Sequence, residues 1–508
     1  MKDIARNTSL AALSGILAFL AFPPFELTFL GWICLVPLLL VIKKNSSGRN
    51  FWYAYLSGVV FFGCLLYWLV NVSVPGMVIL VVILSVFYGV FGLLAGYVLK
   101  YSMDLLLFPF IWVVLEYIRS NLFTGFPWGL LGYTQYRNIN LIQIADITGA
   151  YGISFLLVVF NAAAFAWISR SGRKIAYMMV ALLFIIAATS YGMYRFNNYY
   201  IWGSPRMSVV QGNIPQQYKW DEKFAKDIIK EYSRLTREAA EDDPDMIIWP
   251  ETAYPYLVEG KDRPAGQISA LASEQGIPIL TGIVYAEGGT YYNSAAVFDG
   301  KEELADVYNK VHLVPFGEYV PFERSLSFLR DYIDKPIGDF AEGKEYTLFP
   351  VKSVRSLTAA DGSIQRRINF YKFGVLICFE DIFPYITREF VRKGANFVVN
   401  ITNDAWFGDT AAPRQHLQSS VFRAVENRVP VIRAANTGIS CFVDSTGKVL
   451  SSVEAEGKEV LVSGFATSNV DIYAGRSVYT VYGDIFVYFC GFMMALLFIM
   501  EGFFLKKE

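Results

Sequence analysis

The chain has 508 residues and a formal net charge of −1. Residues 1–205 contain 12 Lys and Arg and 5 Asp and Glu, whereas residues 206–508 contain the other 32 and 40. The first part is too apolar for a surface that faces water, which excludes a single soluble protein and a disordered one. The balanced charge excludes a nucleic-acid binder driven by bulk positive charge. Five Cys and two His are too few and too scattered to predict a disulfide framework or a metal site.

Uncharged apolar segments predict a multispanning α-helical membrane domain. A run of about 20 apolar residues crosses a bilayer as a helix, and we predict about seven such helices in residues 1–196 and a last one in residues 481–508. The segments are Thr8–Phe25, Leu27–Ile42, Phe51–Val70, Val74–Leu99, Leu105–Leu115, Ala150–Ser169, Ile175–Tyr194 and Ile485–Met500. The first could instead be a cleaved signal peptide, but no small-x-small cleavage site follows it.

The basic residues in short loops predict the orientation, because Lys and Arg accumulate on the cytoplasmic side. With a cytoplasmic N-terminus, the inner loops contain Lys2, Arg6, Lys43, Lys44, Arg49, Lys100, Arg170, Arg173, Lys174, Lys506 and Lys507. The outer side then contains Arg119, Arg137 and Arg195. This distribution places residues 197–480 outside the cytoplasm and both termini inside.

Residues 119–148, between two predicted spans, are rich in aromatic side chains. These are Phe123, Phe126, Trp128, Tyr133 and Tyr136. Aromatic rings favour the headgroup level of a membrane. The segment is interpreted as an interfacial aromatic loop, either a simple anchor or a wall of a lipid-binding site.

Residues 206–470 alternate short β-rich runs with helical patterns, which predicts an α/β domain. The clearest strands are Met207–Gln211, Met246–Trp249, Ile279–Val284, Ser294–Phe298, Phe373–Cys378, Phe397–Ile401 and Val431–Ala434. Helices are predicted at Lys223–Ala240, which ends before Pro244, and near Glu389–Gly394, which has a basic, glycine-terminated end. No Gly-rich phosphate-binding loop occurs, so a nucleotide-driven pump is not expected.

Three reactive side chains lie at the ends of β-rich runs: Glu251 ends the run 246–251, Lys310 follows Val307-Tyr-Asn, and Cys378 ends the run 373–378. Sites in α/β sheets form beyond the carboxyl ends of strands, so these residues could converge. Cys378 would be the nucleophile, and Glu251 could accept its proton. Lys310 could face a developing oxyanion. Taken singly, a buried Cys, a helix-terminal Glu and a surface Lys are the commoner interpretations.

The sequence motifs around these residues are more specific than the residue types alone. They are W-P-E-T at 249–252, Y-N-K-x-H-L-V-P-F-G-E-Y-V-P at 308–321, I-C-F-E-D at 377–381 and N-D-A-W-F-G at 403–408, with G-F-P-W at 125–128 and Q-G-N-I-P at 211–215. With these motifs the chain resembles the nitrilase superfamily. Within it, the chain resembles the apolipoprotein N-acyltransferase family over essentially its whole length.

The resemblance implies a nitrilase-like αββα sandwich at 197–480 and a site built on Glu251, Lys310 and Cys378. Glu251 would be the general base, Lys310 the oxyanion-stabilising cation and Cys378 the nucleophile. Glu318 would be a second acidic residue beside them, and Glu380 would support the nucleophile.

Four aromatic residues are further candidates for binding substrate or lipid. Phe379 stands where the family often has Tyr, so any hydrogen-bonding role of this position is in doubt. Trp128, Trp220 and Trp406 match family aromatic positions, although packing is an equally common role for such residues. His312 lies inside the Lys310 motif and invites a Cys–His interpretation, but Lys310 occupies the reactive position. His416 is most simply structural.

The implied reaction is acyl transfer in a bacterial inner membrane, with the catalytic domain on the periplasmic side. An acyl chain would pass from a phospholipid, through a thioester on Cys378, to the α-amino group of the S-diacylglyceryl cysteine of an apolipoprotein. No cofactor, metal or nucleic acid is expected. A membrane-tethered amidase or nitrilase is an alternative that would use the same residues. A transporter with an outer binding domain is a third, disfavoured because ionisable residues approach the predicted spans only near their edges.

Overall fold

The computed structural model describes residues 1–101, 103–197, 200–219, 221–260, 266–301, 304, 306–315, 317–319, 340–358 and 364–505. The chain divides into two compact units. The first contains Met1–Asn198, Thr410–Gln418 and Ser477–Glu508, and the second contains Tyr199–Asp409 and Ser419–Arg476. The short segment Thr410–Gln418 therefore belongs to the helical unit although it lies within the α/β part of the sequence, which the sequence pattern did not predict.

The first unit is helical. Its helices are α1 (Lys2–Leu20), α2 (Val36–Ile42), α3 (Ser47–Leu65), α4 (Val74–Lys100), α5 (Leu107–Asn121), α6 (Ile139–Ile142), α7 (Ala145–Thr148), α8 (Ala150–Ile168) and α9 (Lys174–Asn197), followed late in the chain by α14 (Val478–Tyr482) and α15 (Ile485–Leu505). Helix α4 begins at an N-cap, where Ser73 Oγ accepts a hydrogen bond of 3.2 Å from Gly76 N. It packs closely on α3, since a methyl group on Gly92 would lie 2.5 Å from Ala54 Cβ.

Within the described residues, three helices are long and apolar enough to cross a membrane: Val74–Lys100, Ala150–Ile168 and Lys174–Phe196. Shorter apolar helical segments occur at Thr28–Ile42, Ile139–Thr148 and Ile485–Met500. Most of the predicted spans thus coincide with helices, while their number and their orientation stay predictions.

The second unit contains two larger β-sheets and a small β-ribbon. The strands are β1 (Ile201–Gly203), β2 (Arg206–Gln211), β3 (Met246–Ile248), β4 (Leu257–Glu259), β5 (Ile279–Glu287), β6 (Thr290–Phe298), β7 (Val307–Asn309), β8 (Phe349–Thr358), β9 (Ile364–Ile377), β10 (Phe397–Thr402), β11 (Val431–Ala435), β12 (Cys441–Val443), β13 (Val449–Ser452), β14 (Gly464–Asn469) and β15 (Ile472–Tyr473). One sheet has the order β14-β2-β3-β5-β6-β7, with β4 beside β5, and the other has the order β13-β12-β11-β10-β9-β8. Strands β1 and β15 form the ribbon. The central pairs β2–β3, β3–β5, β9–β10 and β10–β11 are parallel.

Helices cover the outer faces of the two sheets, and the sheets contact each other through β2 and β11. Helices α10 (Glu222–Ala240) and α11 (Gly266–Gln275) pack on the first sheet, and α12 (Pro384–Lys393) packs on the second. Helix α13 (Ala412–Asn427) begins in Thr410–Gln418 and continues into the second unit. This layering is the nitrilase-like sandwich that the motifs implied.

The sequence explains where these helices begin and end. The side chain of Asp221 accepts a hydrogen bond of 3.0 Å from Lys223 N and caps α10. Helix α12 begins at Pro384 and ends at Lys393, and the φ of 110° at the C-cap residue Gly394 favours a residue without Cβ. The predicted strands and both predicted helices are observed, and most of their bounds agree within a few residues. Strand β9 is much longer than expected, because it continues N-terminally into a hairpin with β8.

Candidate active site

Each of the three predicted reactive residues follows the carboxyl end of a strand. Glu251 follows β3 after Trp249 and Pro250, and Lys310 directly follows β7 in the same sheet. Cys378 directly follows β9 in the other sheet. The candidate site therefore combines side chains from both sheets of the sandwich.

Glu251, Lys310, Glu318 and Asn293 form a buried polar group that we call the reactive cluster. Lys310 Nζ lies 3.0 Å from Glu318 Oε1 and 3.8 Å from Glu251 Oε1. Asn293 Nδ2 donates to Glu251 Oε1 at 2.9 Å and to Glu318 Oε1 at 2.7 Å. Lys310 is only 1% exposed. The predicted meeting of Glu251, Lys310 and Glu318 is thus observed, and Asn293 holds the two carboxylates in one arrangement.

The charges around Lys310 keep its ammonium group protonated. Burial lowers the pKa of Lys310, but Glu318 and then Glu251 raise it by more, so the pKa ends above its usual value of 10.5. A cation that cannot release its proton at neutral pH is suited to bind an anion and unsuited to act as a base.

Cys378 lies at a sharp turn between β9 and a short 3₁₀ turn, Cys378–Ile382. Its φ of 52° lies in the left-handed region, which non-glycine residues seldom adopt. Asn400 Nδ2 donates to Cys378 O at 3.1 Å and fixes the turn from the next strand. Burial raises the pKa of the Cys378 thiol, Glu251 raises it further and Lys310 lowers it. The free thiol is therefore neutral and needs a base when it reacts.

Glu380 links the Cys378 turn to the Lys310 loop. Its Oε2 accepts from Ile377 N at 2.7 Å, and its Oε1 accepts from Val311 N at 2.7 Å and His312 N at 3.1 Å. The Tyr308 hydroxyl donates to Oε1 at 2.9 Å. Burial raises the pKa of Glu380 to about 7, while Lys310 and these donors act in the opposite direction. One carboxyl group thus fixes the end of strand β9, next to Cys378, relative to the loop that follows Lys310.

A second buried ionic group adjoins Cys378 through Asn400, and we call it the arginine cluster: Arg433, Asp381, Asp404, Asn400 and Ser420. Arg433 Nη1 donates to Ser420 Oγ at 2.7 Å, Asp381 Oδ2 at 2.8 Å and Asn400 Oδ1 at 2.9 Å. Its Nη2 lies 3.6 Å from Asp404 Oδ2. Asn400 belongs to this group and also holds the carbonyl of Cys378. The arginine cluster therefore stabilises the backbone of Cys378.

The aromatic candidates lie in different places. Phe379 is half-buried, and its ring lies 5.1 Å from Phe383 and 6.2 Å from His312. The Nδ1 atom of His312 is 2.9 Å from the Tyr385 hydroxyl, so this His takes part in an aromatic group. Trp406 is 43% exposed. Trp220 lies outside the described residues.

Trp128 belongs to the first unit, where it is buried with an exposed fraction of 4%. Its Nε1 donates to Gln415 Oε1 at 2.9 Å, and Trp68 Nε1 donates to the same oxygen at 3.1 Å. The amide nitrogen of Gln415 donates to Pro23 O and Leu65 O, each at 3.2 Å. His416 stacks on Trp128 with ring centres 5.6 Å apart. In the same aromatic segment, Phe123 is 86% exposed.

Sequence reasoning missed Lys219, Asn293, Asn400 and Arg433. The last three are polar residues inside β-rich runs, and a polar residue at a buried strand position is a signal that could have identified them. Lys219 lies in a turn before α10, where a Lys is ordinary, and only the structure shows that it is buried. In the described part of the chain, no group of three or more His, Cys, Asp or Glu side chains is placed to hold a metal ion.

In chemical terms, the site provides a thiol, a carboxylate whose charge raises the pKa of that thiol, and a buried cation against two carboxylates. Such a set can attack an activated carbonyl, hold the tetrahedral oxyanion and return a proton to a leaving group. This is the chemistry of acyl transfer.

Both parts of the chain are similar to known proteins. Residues 14–163 match the model of the apolipoprotein N-acyltransferase N-terminal domain, and residues 206–471 match that of carbon-nitrogen hydrolases. The chain is 37% identical to a protein named apolipoprotein N-acyltransferase from Geobacter metallireducens, over 96% of this chain and 93% of that protein. It is 35% identical to a protein of the same name from Allorhizobium ampelinum, over 89% of each. The crystal structure of Saccharomyces cerevisiae Nit3, a member of branch 10 of the nitrilase superfamily, aligns with 18% identity and a TM-score of 0.38, over 53% of this chain and 91% of that one.

Both parts of the sequence are therefore accounted for by the same kind of enzyme, a helical N-terminal domain joined to a carbon–nitrogen hydrolase domain. The chain belongs to the apolipoprotein N-acyltransferase family, a family of acyltransferases within the nitrilase superfamily.

Proposed function

We propose that the protein transfers an acyl chain from a phospholipid to the α-amino group of the N-terminal S-diacylglyceryl cysteine of apolipoproteins. The observation that carries this proposal is the reactive cluster beside Cys378 in a chain whose relatives are named for apolipoprotein N-acylation. A cofactor has no part in the proposed reaction.

In the first half-reaction, Cys378 attacks the ester carbonyl of the phospholipid. Because burial and Glu251 raise the pKa of the Cys378 thiol, Glu251 takes the proton as the sulfur attacks. Lys310 stabilises the oxyanion of the tetrahedral intermediate. The lysophospholipid leaves as an alcohol with the proton that Glu251 returns, and a thioester remains on Cys378.

In the second half-reaction, the α-amino group of the lipoprotein cysteine attacks the thioester. Glu251 takes a proton from the nitrogen and delivers it to the departing sulfur, which restores the thiol and releases an amide. Asn293 and Glu318 hold the side chains of Glu251 and Lys310 in position during both half-reactions.

Membrane attachment has a physical reason in this scheme. Moving an acyl chain into water costs about 0.8 kcal/mol for each methylene group, so both substrates must be handled at the bilayer. We propose a bacterial inner-membrane location with about seven helices before the catalytic domain and one after it. The basic loop residues favour a periplasmic catalytic domain and two cytoplasmic termini.

The deciding experiment incubates purified protein with phospholipid labelled in the acyl chain and measures intact mass. We expect an adduct of one acyl group, located on Cys378 by peptide mapping and released by hydroxylamine. Addition of a diacylglyceryl peptide with a free α-amino group should discharge the adduct and acylate the peptide. An adduct formed from a small amide but never from phospholipid would instead favour the amidase alternative.

The orientation has a separate test. The exposed residue Glu454, substituted by Cys, should react with an impermeant thiol reagent in intact spheroplasts. A Cys introduced at Lys44, in a predicted cytoplasmic loop, is the matched control and should react only after lysis. The reverse pattern would contradict the proposed topology.

A further inference from the structure

A second lysine lies at the site, and neither the motifs nor the acyl-transfer scheme uses it. Lys219 is only 3% exposed, and its Nζ donates to the main-chain oxygen of Glu251 at 2.7 Å. Both residues belong to the second unit. Burying an ammonium group is costly unless nearby groups compensate its charge. A neutral donor could make the same hydrogen bond without that cost, so the charge itself requires an explanation.

The charges of the reactive cluster explain why a buried positive charge is present. Glu251 and Glu318 carry two negative charges, and Lys310 lies against both and carries one positive charge. These three side chains have a net charge of −1, next to the Cys378 thiol that loses a proton in the proposed reaction. Lys219 interacts electrostatically with both Glu251 and Cys378. Its positive charge brings the group of four ionic side chains to neutrality.

The other charged groups near the Cys378 thiol interact with hydrogen-bond donors or with a group of opposite charge. Glu380 accepts hydrogen bonds from three backbone N–H groups and from Tyr308. Asp404, which raises the pKa of Cys378, lies against Arg433. Burial lowers the pKa of Lys219 from 10.5 to about 8, while Glu251 and Cys378 act against that shift, so the ammonium form prevails at neutral pH.

We propose that Lys219 is a positioning residue for the acyl-transfer site: it holds the main chain of Glu251, and its positive charge stabilises the negative charge that passes from Glu251 to the Cys378 sulfur when Glu251 takes the thiol proton. This inference rests on the proposed roles of Glu251 and Cys378. It assigns Lys219 no contact with substrate, because its effect passes through Glu251.

The test uses the full-length protein in detergent and two variants of Lys219. Lys219→Met removes both the charge and the donor at similar length, whereas Lys219→Gln keeps a donor for Glu251 O and removes only the charge. Lys223→Met, which changes an exposed Lys of α10, is the matched control. For each protein, the rate of Cys378 alkylation by iodoacetamide is measured across pH, together with the rate of thioester formation from labelled phospholipid.

Removing the positive charge of Lys219 makes the Cys378 thiol harder to ionise. We expect the midpoint of Cys378 alkylation to move to higher pH by about one unit in both Lys219 variants, which corresponds to a roughly tenfold slower reaction at neutral pH. Thioester formation at pH 7 should fall by a similar factor and recover in part at higher pH. Lys223→Met should match the unmodified protein.

An unchanged alkylation midpoint in Lys219→Gln would overturn the proposal, whether or not turnover falls, because a loss without that shift is a packing effect. The same conclusion follows if Lys219→Met loses activity that higher pH does not restore. Failure of the proposed function can be distinguished from failure of the role of Lys219. In the first case the unmodified protein forms no thioester, but comparing its Cys378 alkylation profile with those of the variants still tests Lys219.

Discussion

The two buried ionic clusters of the second unit use similar residues in different ways. In the arginine cluster, Arg433 and both of its carboxylate partners are almost completely buried, and Arg433 makes three hydrogen bonds of 2.7 to 2.9 Å. In the reactive cluster, Lys310 lies 3.8 Å from Glu251, and the adjoining Cys378 remains half-buried. The arginine cluster is fully enclosed, whereas the reactive cluster adjoins a thiol that is partly exposed. In the function proposed above, buried charge has a structural role in the first cluster and a chemical role in the second.

The sharpest test of this distinction is the nucleophile. Cys378→Ala removes the sulfur but little volume, so we expect thioester formation and acyl transfer to be abolished while the protein still folds. Cys441→Ala is the matched control, since Cys441 is a buried thiol on β12 of the same sheet and has no part in the proposed chemistry. The measurement is intact mass after incubation with phospholipid. A thioester on the Cys378→Ala protein would refute the assignment.

Next in size are the effects at Lys310. Removing one oxyanion donor typically costs about 10²–10³ in rate, and we expect at least that loss of turnover in Lys310→Ala. Lys310→Arg keeps the charge but should recover little, because the planar guanidinium is larger than the ammonium that fits between Glu251 and Glu318. Full activity in the Arg variant would show that charge alone is sufficient.

The roles of Glu251 and Lys310 are separated by pH. In the proposed scheme Glu251 accepts the thiol proton, so Glu251→Gln should lose activity at neutral pH. Alkaline pH should ionise the Cys378 thiol without a base and restore part of the turnover in this variant, and because burial raises the pKa of that thiol, the recovery should come only at clearly alkaline pH. Lys310→Ala should show no such recovery. Equal recovery in both variants would mean that Lys310 acts mainly on the thiol pKa, and the oxyanion role would be wrong.

Substitution in the arginine cluster should affect stability first. Arg433→Met removes a buried cation that lies against Asp381 and Asp404, and breaking a buried ion pair typically costs about 3–5 kcal/mol of the free energy of unfolding. The control is Arg234→Met, because Arg234 is 49% exposed in its pairs with Glu231 and Glu238, and such pairs contribute about 0–1 kcal/mol. Thermal unfolding in detergent measures both. Equal unfolding midpoints would contradict a structural role for Arg433.

The same contrast explains what the sequence could predict. The placement of Glu251, Lys310 and Cys378 at strand ends was predictable, because each lies in a specific motif at the end of a β-rich run. Asn293 and Arg433 lie inside strands, and their partners are distant in sequence, so no local pattern connects them. Lys219 was missed for a different reason: its proposed role depends on burial, which is a property of the folded chain. The inclusion of Thr410–Gln418 in the helical unit was likewise invisible, since that segment has the composition of an ordinary soluble helix.

The smallest expected effect concerns Trp128 in the first unit. The aromatic composition of its segment led to the interpretation of Trp128 as part of a lipid-binding wall. Its contacts also fit a packing role, because the indole N–H donates to Gln415 and the ring is buried beside Trp68 and His416. Trp128→Phe keeps a ring but loses the N–H, whereas Trp128→Ala loses both.

If the ring contacts acyl chains, Trp128→Ala should slow turnover with phospholipid by several-fold more than turnover with a short-chain, water-soluble ester, and Trp128→Phe should stay near the unmodified protein. If the bond to Gln415 is what matters, both variants should lose activity equally with both donors. That result would assign Trp128 to the structural side of the comparison, together with Arg433, and would remove it from the lipid site.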